Sequence, residues 1–541
     1  MPHYTANENP VSSKSWSSNS LINTLLMEWL PGTTNYWSNS TISYSFPFTR
    51  ELFSAANESG DQWGLELLND TQRAQIRKAF AAWDEVIAPS FVEITESKDT
   101  GLVGDLRVYL TNAVGSEAWG WATYPFQQGA DSGDIRISPV YARNSDFKES
   151  GKDNYDFTAM LHEIGHAIGL EHPFEGVTRL SSELDNRSNT IMSYTDYAPH
   201  GYAWASTPMV YDIQAAQYLY GADLTTRTGD DIYIFNDGET LIKTIWDAGG
   251  NDTMDASQFT SGITMRLDDG SYSNIGMQDN IAIAINAVIE NAIGGGGDDT
   301  IEGNESNNRL VGNEGADRLL GQSGNDTLLG GSGWDWLDGG SGTDTAEYSQ
   351  SRRDVRLSID SKGTWTADSG DGADILVSIE QLRVGNGELI TLPSNLGGEL
   401  NGLGYRIDTL AGQNAGMAYR IYQAAFDRTP DLGGLSYWLG ALDKGMDLIE
   451  MSARFIDSNE FRTLYGNNPD TRSYVEKLYR NVLNRDGETG GITFWVGELD
   501  SGSKSRAKVL ADFAESTENV NLVGVLINNG YGYDQNSYAL A

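Results

Sequence analysis

Residues 294–347 divide into six nonapeptides in unbroken register: GGGGDDTIE, GNESNNRLV, GNEGADRLL, GQSGNDTLL, GGSGWDWLD and GGSGTDTAE. No other feature restricts the fold as tightly. In the pattern G-G-x-G-x-D-x-U-x the first six residues form a turn and the last three a short strand. The apolar eighth residues, Ile301, Leu310, Leu319, Leu328 and Leu337, are expected to stack into a thin core. Asp299, Asp317, Asp326, Asp335 and Asp344 hold the sixth position. Gly295, Gly297, Gly315, Gly324, Gly331, Gly333, Gly340 and Gly342 allow tight turns whose carbonyls point inward. Carbonyls and aspartates together suit the oxygen-only coordination of Ca²⁺. The second repeat departs from the pattern, with Asn308 at the sixth position and Ser306 in place of the fourth glycine. A flexible Gly/Asp linker would show no register at all.

A second stretch points to a different metal. The chain has five histidines, and three of them fall within "HEIGHAIGLEH", His162 to His172. The sequence "FTAMLHEIGHAIG" reads as a helix with Phe157, Met160, Leu161, Ile164 and Ile168 on its apolar side. His162 and His166, four residues apart, then leave one face a turn apart. Gly169 can take the positive φ that ends a helix, which lets His172 return to the same point. Three neutral imidazoles leave a Zn²⁺ its full charge and an open fourth position, where a water becomes acidic. Glu163, beside the first ligand, is placed to take that proton.

Composition narrows the partners. The chain carries 36 basic and 76 acidic residues, a formal charge of −40, so nucleic acid and anionic membrane would be repelled. Its hydrophobic fraction of 39% and 14 tryptophans can supply several cores. There is no cysteine, which excludes thiol catalysis, disulfides and thiolate metal sites. "MPHYTANENPVSSKSW" lacks a cationic patch followed by an apolar stretch, and "LINTLLMEWL" is too short to span a bilayer. A cytosolic protein, or one exported without an N-terminal signal, is expected.

Along the chain, residues 1–40 are Ser/Asn-rich and read as a loosely held lead segment or propeptide. Mixed strands and helices follow through 41–222. "TISYSFPF", "GDLRVYL", "AWGWATYP" and "DIRIS" read as strands, and "NDTQRAQIRKAFAAWDEVIA" as a helix with Asn69, Asp70 and Thr71 as cap candidates. A Gly/Asp/Asn-rich region spans 223–347, a strand-like flank 348–392 and a linker 393–412. Residues 413–525 are helical and duplicated: 421–445 aligns without gaps on 478–502. Tyr422 matches Tyr479, Arg428 matches Arg485, Gly433–Gly434 match Gly490–Gly491, and Trp438 matches Trp495. Such repetition indicates helical units sharing a core. A tail, 526–541, closes the chain.

The pattern H-E-x-x-H-x-x-G-x-x-H resembles the metzincin metalloproteases. Their methionine turn beneath the zinc has a counterpart in "NTIMSYTDY", with Met192 twenty residues after His172 and Tyr194 two residues later. "TRTGDDIY", "WDAGGNDTMD", "AVIENAIGG" and the nonapeptides are similar to the C-terminal β-roll of the serralysin branch. The resemblance covers roughly 40–345. It implies an α/β metzincin catalytic domain, an all-β parallel β-roll and, beyond its reach, an all-α C-terminal domain. It also implies that Tyr194 is an additional zinc ligand that swings away to hydrogen-bond the transition state. Arg227, Gly229, Asp231, Asp247, Gly249 and Asp252 would form a further calcium site where the roll begins. The helical region resembles an uncharacterised bacterial module of large secreted proteins, and is expected to bind or attach to a surface ligand.

The expectation is a secreted, extracellular zinc endopeptidase acting on protein or peptide substrates, with Zn²⁺ and Ca²⁺ as cofactors. Export through a one-step channel that reads a C-terminal signal fits the tail only in part, because "NSYALA" has no acidic residue immediately before its small apolar end. The competing expectation is a calcium-dependent surface or adhesion protein with a vestigial protease domain. Retention of Glu163, the three histidines and Tyr194 weighs against it.

Overall fold

The computed structural model describes residues 11–53, 64–126, 131–151, 153–360, 362–385, 387–393 and 403–541. Two compact units are present, 1–308 and 309–541. In the first, a mixed sheet has the order Ser90–Glu93, Thr41–Ser45, Leu106–Thr111, Ile135–Ile137, Gly120–Ala122, with Leu65–Glu66 also pairing Leu106–Thr111. The last pairing, Gly120–Ala122 on Ile135–Ile137, is antiparallel and leaves Gly120–Ala122 at the edge. Helix Asp70–Asp84 begins in a capping box: the Asn69 side chain accepts from Gln72 N–H while Gln72 accepts from Asn69 N–H. Its Ile76, Phe80 and Trp83 are buried, and Trp83 Nε1 donates to Leu161 O at 3.1 Å in the neighbouring helix Tyr155–Ala167.

The strand expected from the alternation of Leu106, Val108 and Leu110 is present, and all six residues of Leu106–Thr111 are buried. The polar side is closed by pairing. Arg107 Nε meets Glu96 Oε1 at 2.9 Å and Tyr109 OH donates to Asp134 at 3.0 Å.

The N-terminal stretch differs from the expected loose lead. Val11–Ser15 pairs antiparallel with Thr33–Trp37, and Leu25 and Leu26 are buried. Its serines and asparagines act as internal links: Asn23 Oδ1 accepts from Ser17 N–H and its Nδ2 donates to Ser17 O, both at 2.8 Å. Leu25 O also accepts from Glu171 N–H at 2.9 Å, and Met27 N–H donates to Gly169 O at 3.3 Å. This segment therefore braces the turn that leads to His172.

Short parallel strands build a roll in each unit. In the first, Ile232–Ile234, Thr253–Asp255 and Asn291–Ile293 form one row, while Thr264–Arg266 pairs Thr300–Glu302. In the second, Leu310 pairs Leu328, which pairs Ala346, and Leu319 pairs Leu337. Consecutive nonapeptides thus alternate between two sheets, and two of them complete a turn. The predicted eighth-position residues are at most 1% exposed. Gly333 shows why the turns require glycine. Its φ is +138°, and a Cβ there would lie 1.7 Å from Gly315 O.

Past the nonapeptides, antiparallel strands Arg356–Ile359, Trp365–Asp368 and Ala373–Val377 extend one sheet of the second unit. Helices run from Asn414–Phe426 to Thr517–Ile527 around one core. The expected linker and tail are both structured in part. Leu403–Arg406 pairs with Arg356–Ile359 on one side and with Tyr531–Asp534 on the other. Tyr531 OH anchors the last strand by donating to Ala415 O at 2.8 Å. Residues 394–402 of the linker lie outside the described residues.

The repeated residues of the helical part are its scaffold. Tyr422 OH bonds Asp431 at 2.5 Å and receives Arg428 at 3.1 Å, while Arg428 pairs Glu460 at 2.7 Å. The second copy repeats this with Tyr479 on Glu488 at 3.4 Å and Arg485 on Glu518 at 2.5 Å. Trp438 and Trp495 pack edgewise or tilted on Phe455 and Phe513. Gly434 and Gly491 make room, since a Cβ would stand 2.8 and 2.2 Å from the respective tyrosine oxygens.

Candidate metal centre

Helix Tyr155–Ala167 buries Phe157, Met160, Leu161 and Ile164 and carries both His162 and His166. It ends at Gly169, φ +109°, where Gly169 N–H returns to His166 O and Leu170 N–H to Gly165 O, each at 2.9 Å. The chain then brings His172 back. Its Nε2 lies 3.0 Å from His166 Nε2 and 3.3 Å from His162 Nε2.

Tautomers follow from the opposite ring nitrogens. His162 Nδ1 donates to Ile191 O and His166 Nδ1 to Leu170 O, both at 2.8 Å. Each Nε2 therefore presents a lone pair to the common point. Burial holds the His162 imidazolium down to about 3 and that of His166 well below its usual value. The lone pairs of His162 and His166 thus meet His172 Nε2 at one point. Three imidazoles are a donor set that fits Zn²⁺ with a further position open.

Met192 is fully buried, and a Cβ on Gly165 would meet its sulfur at 2.8 Å. Asp212, which sequence reasoning missed, secures this turn. It accepts from Thr190 Oγ1 at 2.5 Å, Ile191 N–H at 2.8 Å and Met209 N–H at 2.9 Å. Ile191 O in turn orients His162. Tyr194 is 59% exposed, with its ring 4.7 Å from the His172 ring and 5.7 Å from that of His162. Burial of its hydroxyl, with Glu163 nearby, pushes the phenol up to about 12.

Glu163 points away from the apolar core into a cavity of about 310 Å³. Trp119, Tyr155, Arg187, Ile191 and Tyr194 are among its lining residues. The carboxyl is pushed up to about 8 by burial, offset in part by a hydrogen bond from the Ala122 backbone. Its Oε2 is buried without a partner. Gly120 of the same edge strand lines this cavity together with Glu163 and His162.

The first calcium candidate is also brought together. Carboxylate oxygens of Asp231, Asp247 and Asp252 lie within 4.8 Å of one another, and Asp252 Oδ2 is buried without a partner. Burial pushes Asp252 up to about 6. Gly249, φ +139°, follows Asp247, whose Oδ1 accepts its N–H at 2.9 Å. A Cβ on Gly250 would meet Gly229 O at 2.1 Å. The Arg227 guanidinium pairs with Glu85 at 3.2 Å, which leaves its carbonyl as the candidate ligand.

In the nonapeptides, Asp299, Asp317, Asp326, Asp335 and Asp344 are at most 2% exposed. Asp335 Oδ1 accepts from Asp317 N–H at 2.9 Å and Asp344 Oδ1 from Asp326 N–H at 2.8 Å. The Oδ2 atoms of Asp335 and Asp344 are buried without partners, which fits a bound cation. Gly315, Gly324, Gly331, Gly333, Gly340 and Gly342 have positive φ. Gly295 and Gly297 instead sit against backbone: a Cβ would meet Phe259 O and Gly262 N, respectively, at 2.3 Å. Asp374 and Glu380, not foreseen, continue the pattern, accepting from Asp335 N–H at 3.1 Å and Asp344 N–H at 2.9 Å. The signal was present: "SGDGADILV" is a seventh nonapeptide lacking only its first glycine.

Serralysin of Proteus mirabilis is 37% identical over 302 residues, covering 50% of this chain and 60% of that protein. Half of this chain is homologous to the serralysins. Serralysin C of Dickeya chrysanthemi is 34% identical over 300 residues, 50% of this chain and 60% of its own length. Metallopeptidase AprA of Pseudomonas marginalis is 32% identical over 301 residues, 50% and 62% respectively. The chain thus spans about three fifths of the length of these serralysin-type relatives. The RTX calcium-binding nonapeptide repeat (4 copies) matches residues 289–319 and 311–346. A domain of unknown function (DUF4214) matches 452–523. Among the described residues, no helix is long and apolar enough to cross a membrane.

Proposed function

We propose that this chain is a secreted zinc endopeptidase that cleaves extended peptide segments laid along the edge strand Gly120–Ala122. The observation that carries the reading is the convergence of three histidine Nε2 atoms beside the buried, half-satisfied carboxyl of Glu163. His162, His166 and His172 would hold the zinc, with Tyr194 as a further ligand at rest. When bound, the zinc supplies Lewis acidity toward the scissile carbonyl and the attacking water.

The remaining work belongs to side chains. The edge strand offers backbone groups to a peptide by strand addition, which explains recognition of an extended substrate. With a cation's charge held at the histidines beside it, Glu163 would be a carboxylate able to take the proton of the attacking water and pass it to the departing amine. Tyr194, held protonated at neutral pH, donates its hydroxyl hydrogen to the developing oxyanion. His162 and His166 stay oriented because Ile191 O and Leu170 O hold their Nδ1–H groups. The calcium repeats support an extracellular location, where millimolar calcium would keep the roll folded.

Casein digestion by the calcium-loaded full chain tests the reading. Activity should vanish with a zinc-selective chelator and return on adding zinc. Undiminished digestion under chelation, or none by zinc-loaded folded protein, would overturn it.

A further inference from the structure

Turn 303–308 departs from the calcium pattern at Asn304, Ser306 and Asn308, and both asparagines are buried. Asn304 N–H donates to Asn308 Oδ1 at 2.8 Å, and Ser306 N–H donates to Asn304 Oδ1 at 2.9 Å. These two donors fix which amide atoms are oxygens, so each Nδ2 must serve other acceptors. Asn308 Nδ2 donates to Glu290 O and to Asn304 Oδ1, both at 2.9 Å. Asn304 Nδ2 donates to Leu267 O at 3.1 Å and Ile289 O at 2.8 Å. Main-chain carbonyls of neighbouring rungs are thereby satisfied by N–H groups. Two of the consensus turns behave differently, since Asp335 and Asp344 keep a buried Oδ2 without a partner.

We propose that turn 303–308 is a calcium-independent rung, in which the amides of Asn304 and Asn308 make the links that Ca²⁺ makes at the aspartate turns. An amide presents the positive ends of its N–H bonds where a hard cation requires oxygens. The residue at 308 therefore decides whether the turn takes an ion. An aspartate there would lose both donated bonds and set a carboxylate against Glu290 O. That acceptor–acceptor contact is unfavourable until a cation bridges it. The proposal rests on the calcium reading of the consensus turns and is independent of the catalytic one.

Calorimetric titration of the full, zinc-loaded chain with calcium tests it. The variant Asn304→Gly/Ser306→Gly/Asn308→Asp should bind one more calcium per chain than wild type, and magnesium should not substitute. Equal stoichiometry in two proteins of matching circular dichroism would overturn the proposal. If the triple variant does not fold, Asn308→Ala carries the test. In calcium its Tm should fall while the number of calcium ions bound per chain stays that of wild type, because the lost links hold no ion. One fewer bound calcium would mean that the natural turn binds one, and would overturn the proposal. Asp344→Asn serves as the contrast, with a bound calcium lost.

Discussion

Glu163 and Tyr194 face the same cavity but differ in what their loss removes. Replacing Glu163 by Gln keeps shape and the Ala122 contact while removing the proposed base. Metal content should be retained and kcat should fall by ~10²–10⁴, the range for losing a general base. Metal analysis beside steady-state kinetics checks this, and near-normal turnover in a metal-loaded variant would refute the role. Tyr194→Phe should cost less than Glu163→Gln, because the histidines and Glu163 remain. Loss of zinc binding in that variant would make the phenol a structural ligand instead. Spacing alone made the histidines legible, since four residues on a helix and a glycine stop leave few other geometries. Asp212 was illegible for the opposite reason. It looks like any aspartate in a first helical turn, and its partners Thr190 and Ile191 are some twenty residues away.

Among the elements, the N-terminal strut was the one most obscured by composition. Ser/Asn-rich sequence usually signals solvated chain, but Asn23 and Asn35 are buried here as hydrogen-bonding links. Leu25 is fully buried where its carbonyl holds Glu171 N–H, the residue before His172. Leu25→Ala should destabilise the catalytic unit by ~2–5 kcal/mol, as for other large-to-small core changes. It should also speed zinc loss to a competing chelator, because the segment carrying His172 is loosened. Denaturation with zinc bound, and chelator-trapped release kinetics, measure the two effects. An unchanged release rate would mean that the strut supports the fold without bracing the ligand. In the roll, the periodicity of 294–347 was readable because most of its turns repeat the same glycine constraint, while the detached repeat at 369–377 escaped notice. The strands Leu403–Arg406 and Tyr531–Asp534 were not, because their pairing joins segments more than a hundred residues apart.

Across the whole molecule, the excess of acid becomes a folding condition. Five repeat aspartates are nearly inaccessible to water, and burial raises the carboxyls of Asp299, Asp335 and Asp344 above the usual range. Asp374 is pushed up to about 7, again first by burial. Without calcium, ionising these groups opposes folding, and leucine burial of ~1.5–3 kcal/mol each is poorly placed to offset it. Bound calcium cancels the repulsion, so folding of the roll and binding become linked. Hydrogen exchange of the full chain should show amides of 294–347 protected in calcium and exposed in chelator, with magnesium ineffective. Acid should mimic calcium in part. A carboxyl whose folded pKa is raised contributes most below its unfolded value, near 3.9, and loses that contribution as pH rises through its folded value. In chelator, protection of the roll should therefore grow as pH falls from about 7 toward 4, the interval between the Asp374 value and an unfolded aspartate. A roll equally protected with and without calcium at neutral pH would show that its apolar core suffices alone. Calcium would then be an ornament of the fold and not the condition that completes it.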